Sequence, residues 1–284
     1  MGMIVVLGAF LVTQKSEVPK EAGTVVSALP DRKSIEPIDS DGDGIEDWKE
    51  DLQARVIASI QVPTSTPGDT GTLLYEPPTT FTGKFAEAFF TDYIAGKAQN
   101  EEGIDKELIV ENAVKAIDAN ARSRTYQVRD ITIIPDSPEA VKQYGNRIAH
   151  IIMRTSIDTG TTESEVLILK RALETKNPEA LQELAPIREA YAKFVAETLK
   201  VPVPASFSLS HLALLNSYEA IRTDVSTMEQ AFTDPILSLA RLQHYEADAT
   251  SLFESLKRIA TALIAHGVTY ENDEPGAIIY TLDI

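Results

Sequence analysis

Phe207–Phe232 reads FSLSHLALLNSYEAIRTDVSTMEQAF, and its apolar residues fall on a strict repeat. Phe207, His211, Leu214, Tyr218, Ile221, Val225, Met228 and Phe232 alternate in steps of four and three. Such spacing keeps one side of an α-helix continuously apolar and in the register of coiled-coil packing. After Asp234-Pro235 the pattern returns. Tyr245, Ala249, Leu252, Leu256, Ile259, Leu263 and His266 repeat the same steps. Two successive heptad-patterned helices joined by a short turn predict an antiparallel hairpin whose facing stripes form a core.

Working outward, most of the chain from Phe81 onward shows helical periodicity. Phe85, Phe89 and Tyr93 recur every fourth residue, and Val110, Val114, Ile117 and Ala121 follow a 4-3-4 spacing. Val141, Tyr144, Ile148, Ile151 and Thr155 begin after Ser137-Pro138, and Leu184, Ile187, Tyr191 and Phe194 obey the same rule. Val201-Pro-Val-Pro204 interrupts the pattern. Two β-branched runs, Asp130–Ile134 (DITII) and Ala277–Leu282 (AIIYTL), read as extended segments able to pair as a minor strand element.

Near the start, Asp39–Glu50 (DSDGDGIEDWKE) places oxygen donors at positions 1, 3, 5, 7, 9 and 12 of one short segment. Asp39, Asp41 and Asp43 offer carboxylates, Ile45 its backbone carbonyl, Asp47 a direct or water-bridged oxygen, and Glu50 a bidentate pair. Gly44, at position 6, permits the sharp turn that aims them inward. Six to eight oxygens are what Ca²⁺ requires. Seven acids against one lysine between Asp39 and Asp51 also repel one another without a counter-ion. The exiting residues Ile45, Trp48, Leu52 and Val56 mark one apolar face of a helix.

This loop resembles the DxDxDG loops of EF-hands, dockerins and thrombospondin type 3 repeats, over Ile38 to Ile60 only. It departs from an EF-hand at Glu46, where position 8 is usually apolar, and at Pro37, which disfavours an entering helix. The chain holds no second copy. The resemblance therefore implies a single structural Ca²⁺ loop of the extracellular kind, with affinity on the order of 10⁻⁴ to 10⁻³ M. Beyond it, the chain is only loosely similar to uncharacterised bacterial envelope proteins. The expected fold class is all-α: a helical bundle with the C-terminal hairpin, preceded by the calcium loop–helix module.

A net charge of −17 from 43 acids and 26 bases argues against nucleic acid as the main partner. Without cysteine there are no disulfides or thiolate metal sites. Met1–Val12 (MGMIVVLGAFLV) is uncharged and apolar, but twelve helical residues reach only about 18 Å. The expectation is a membrane anchor whose beginning is missing, the alternative being a buried N-terminal helix. Residues 13–37 read as a tether, 38–60 as the calcium loop plus helix, 61–80 as a Pro/Thr linker, and 81–284 as the helical domain. A low-affinity Ca²⁺ site fills outside the cell, which puts the soluble part outside the membrane.

No phosphate loop, nucleophile elbow or zincin helix is present. Glu163-Ser-Glu165 and Glu101-Glu102 are paired carboxylates of the kind a glycosidase uses, in a chain where acids pair often by chance. His150 reads as a half-buried structural residue. His211 and His266 occupy seam positions that an antiparallel hairpin returns to one end, where an acid would complete a metal site. The expected function is a non-enzymatic, membrane-anchored, extracytoplasmic calcium-binding scaffold or interaction protein of the bacterial envelope, of the pilus- or secretion-associated kind. Its partner would be another envelope protein. The alternatives are a carboxylate-based enzyme acting on cell-wall glycan, or a sensor ectodomain.

Overall fold

The computed structural model describes residues 39–42, 45–60, 78–98, 106–156 and 163–281. The expected anchor and tether, most of the Pro/Thr linker, Asp43, Gly44 and Glu101-Glu102 lie outside these residues. The described residues form nine α-helices: α1 (Asp47–Ile60), α2 (Phe81–Ala98), α3 (Lys106–Asn120), α4 (Pro138–Ser156), α5 (Glu165–Glu174), α6 (Leu184–Thr198), α7 (Ser208–Met228), α8 (Pro235–Ala265) and α9 (Ala277–Thr281). The all-α expectation holds. None of these helices is long and apolar enough to cross a membrane.

The hairpin is α7 with α8, the most extensively packed pair among the described residues. On α7 and its approach, Phe207, His211, Leu214, Tyr218, Ile221, Val225 and Met228 are all buried. On α8, Ala249, Leu252, Leu256, Ile259 and Leu263 face them from the core. The Phe207 and His266 rings lie 5.4 Å apart, so the start of α7 meets the end of α8 and the pair is antiparallel. From the other side α6 buries Leu184, Ile187, Tyr191 and Phe194, and the Phe194 ring stacks on Tyr218 at 3.4 Å between centroids. On α4, Val141, Tyr144, Ile148 and Ile151 complete the core as their spacing requires.

Two polar fasteners hold peripheral helices to the hairpin. Asp234, just before α8, turns its carboxylate to α2. It accepts from the Phe81 N–H (2.7 Å) and the Thr82 N–H (2.8 Å), two donors that α2 cannot satisfy itself. The Thr82 hydroxyl also donates to Asp234 and accepts from the Ile236 N–H at 3.1 Å. Arg241, 5% exposed, donates to the carbonyls of Ala121 (2.9 Å) and Ala220 (3.1 Å), and pairs with Asp224 at 2.5 Å and Asp248 at 2.8 Å. Asp224 is fully enclosed, and burial pushes its carboxyl up to about 8 against the pull of Arg241.

Two expectations need correction. The expected extended run Ala277–Leu282 is helical over its described part: Ala277–Thr281 is the short helix α9, entered through Glu274–Gly276 by successive i to i+3 backbone bonds, and Leu282 lies outside the described residues. Its Ile279 is buried in the core, so tertiary packing overrides β-propensity. Ile133-Ile134 pairs instead in parallel with Val203-Pro204. On α3, Val110 and Val114 are 55% and 51% exposed. That helix lies at the edge against α2 and α8 and presents Ile109, Ala113 and Ile117, one position earlier than the 110–114 reading.

Candidate metal site

Asp39–Glu50 enters α1, whose first turn carries Asp47 and Glu50, an arrangement the positive end of the helix dipole favours. The described part of the loop is bent by its own acids. Asp39 Oδ1 accepts from the Gly42 N–H at 2.7 Å, and Gly42 takes φ +77°, a conformation natural to glycine. Asp47 folds back to Ser40, accepting from its N–H at 2.7 Å and its hydroxyl at 2.5 Å. The Ser40 hydroxyl and N–H bonds hold the Asp47 carboxyl below the usual carboxylate range. Position 9 is thereby kept ionised and tied to position 2.

Asp39, Asp41, Ile45, Asp47 and Glu50 are described, whereas Asp43, the central carboxylate of the series, lies outside the described residues. Among the described residues no three His, Asp or Glu side chains converge on a common point for a metal ion. The donor set is entirely oxygen, which suits Ca²⁺ and gives nothing to a soft metal.

Behind the loop, α1 is seated in the core. Trp48 is 4% exposed and Leu52 fully buried, within the same apolar cluster as the hairpin. The helix packs on α8, α2 and α5. Arg55 places its guanidinium over the Phe232 ring at 4.7 Å, at the hairpin turn. Glu46, the irregular position 8, accepts from the Trp48 indole N–H at 2.5 Å and lies 3.5 Å from Lys49. That unusual acid links the loop to the buried tryptophan, a role its sequence position alone did not disclose.

The histidines part company. His211 is fully enclosed, with Nδ1 3.2 Å from the Tyr144 hydroxyl, and burial pushes its imidazole down to about 4. His266 lies exposed at the same end of the hairpin against Phe207. The two do reach one end, but no third ligand joins them among the described residues. His150 is exposed, not half-buried. Glu163 pairs with Arg171 at 2.7 Å, and Glu165 is buried beneath the Tyr191 hydroxyl, which donates to it at 3.0 Å. That pair is used in packing. Comparison with protein-family models, curated proteins and solved structures returns no match.

Proposed function

We propose that this chain is a non-enzymatic, calcium-binding scaffold of the bacterial envelope, in which Ca²⁺ at Asp39–Glu50 stiffens the junction between a membrane tether and a helical bundle. The observation that carries the reading is the seating of α1. The same helix that offers Asp47 and Glu50 to the loop inserts Trp48 and Leu52 into the bundle core. Neutralising the loop acids would relieve repulsion at the first turn of that helix and fix the angle at which the tether leaves the bundle.

Asp39, Asp41, Asp43 and Glu50 would supply carboxylates, Ile45 a carbonyl, and Asp47 a direct or water-bridged oxygen. The anchor rests on Met1–Val12, and placement outside the membrane on the millimolar affinity expected of a single loop. An envelope protein partner, in a pilus or secretion assembly, would bind the projecting bundle. Calorimetric titration of chelator-treated protein tests the metal claim. One Ca²⁺ site lost in Asp43→Ala supports it, and an absence of Ca²⁺ heat removes it. Recovery of the full chain in the membrane fraction, with the bundle protease-accessible in intact cells, tests the placement.

A further inference from the structure

The face of α4 beside its buried stripe carries Arg147, His150 and Arg154, spaced so that they share one side of the helix. With Lys200 and Val201 after α6, and with Asn146, Glu197 and Pro275, they line an open hollow of about 490 Å³. That volume is within the range of small-ligand sites. Its electrostatics invert those of the molecule. In a chain of net charge −17, three permanently cationic side chains here face one carboxylate, Glu197, which pairs with Arg154. The neighbouring Glu274 is turned aside, held by Lys142 at 2.8 Å and by the Asn146 amide at 3.3 Å. Arg147, His150 and Lys200 engage no carboxylate among the described residues, although acids are abundant in this protein. All three are exposed to the hollow's solvent.

We propose that this hollow binds a small anion bearing at least two oxyanion groups, phosphate or carboxylate. The guanidinium of Arg147 presents a planar fork that matches either group, and Lys200 adds a point charge from the facing element. The distant acids do not oppose binding at physiological salt. Screening beyond about 8 Å leaves the local cations dominant over the overall charge. Asn146 fixes the wall of the site, because its side-chain oxygen accepts from the Gly276 N–H at 2.8 Å and ties α4 to the C-terminal segment. The Arg154–Glu197 pair acts as an internal competitor: Glu197 occupies a guanidinium that the ligand would otherwise engage.

The test is calorimetric titration of the full chain with inorganic pyrophosphate and, in a second arm, citrate, at physiological ionic strength. The two arms distinguish a phosphate from a carboxylate preference. Saturable one-to-one binding of either probe is expected, weakened about 5- to 10-fold in Arg147→Ala and in Lys200→Ala. Lys115→Ala, on α3, which packs on α2 and α8 and lines no part of the hollow, should bind as the parent does. Glu197→Gln supplies the discriminating sign, since releasing Arg154 should tighten binding while a purely structural Glu197 would not. Each variant's melting temperature confirms that it is folded. The proposal is overturned if neither probe saturates in the millimolar range. It is equally overturned if chloride competes as well as pyrophosphate, or if Arg147→Ala and Lys200→Ala leave the affinity unchanged.

Discussion

Acidifying the protein should expose the buried imidazole at the end of the hairpin opposite its turn. His211 has no solvent exposure, and its imidazole is held at about 4 against an ordinary value of 6.5. The folded state therefore resists a proton that the unfolded chain accepts. Stability from this group is fully present above pH 6.5 and is lost as pH falls toward 4. At about 1.4 kcal/mol per unit of displacement, the full effect is about 3 kcal/mol, and roughly 1.3 kcal/mol should go between pH 7.5 and 5.5. Asp224 acts with the opposite sign over an overlapping window, so the wild-type curve alone is ambiguous. The assay is urea unfolding of wild type and His211→Asn across pH. Asparagine keeps a polar partner for the Tyr144 hydroxyl but does not titrate. The wild-type advantage over the variant should shrink by roughly 1.3 kcal/mol on acidification to pH 5.5. A constant difference, or NMR titration of the His211 ring near 6.5, would refute the burial argument.

Other perturbations address the fasteners and the core. Asp224→Asn should gain on wild type by more than about 1 kcal/mol as pH rises from 5 to 8, because a carboxyl raised to about 8 keeps its proton in the fold across that window while the unfolded chain has released it. If wild type gains instead, Arg241 holds Asp224 ionised. Leu52→Ala removes a fully buried side chain and should cost about 2–5 kcal/mol in a denaturant melt. If bundle stability is unchanged, α1 is not part of the core. Thr82→Ala leaves the buried Ile236 N–H without its acceptor and should cost about 1–3 kcal/mol, measured the same way. Gly145→Ala would set a methyl 1.9 Å from the Tyr270 hydroxyl, expelling a ring that otherwise donates to the Lys142 carbonyl at 3.2 Å. Faster proteolysis within 270–281 is expected, and unaltered resistance would contradict the close approach.

The hairpin was legible in the sequence because heptad spacing has a single geometric reading. Every seam position from Phe207 to Met228 is buried. The exit helix of the loop was legible for the same reason, through Trp48 and Leu52. What the sequence concealed are interactions between distant positions. Asp234 caps a helix some 150 residues earlier in the chain rather than its own. Arg241, off the seam of α8, gathers α3 and α7 around one guanidinium. The AIIYTL run was misread because its β-branched residues outweighed the Glu274–Gly276 turn that starts a helix. The basic hollow was missed because its cations come from two elements and net charge averages them away, although Arg147, His150 and Arg154 already shared a helical side.

Spacing alone puts forward the loop's six candidate ligands, and a Ca²⁺ titration tests them. The sole tryptophan, Trp48, lies at position 10 and donates its indole N–H to Glu46 within the loop. Tryptophan emission therefore reports on the loop without a label. Ca²⁺ titrated into chelator-treated protein, with Mg²⁺ as control, should give a saturable and Ca²⁺-selective change, abolished in Asp43→Ala, with a midpoint on the order of 10⁻⁴ to 10⁻³ M. An emission spectrum and a calorimetric trace that both ignore Ca²⁺ would contradict the account and leave Asp39–Glu50 an acidic turn.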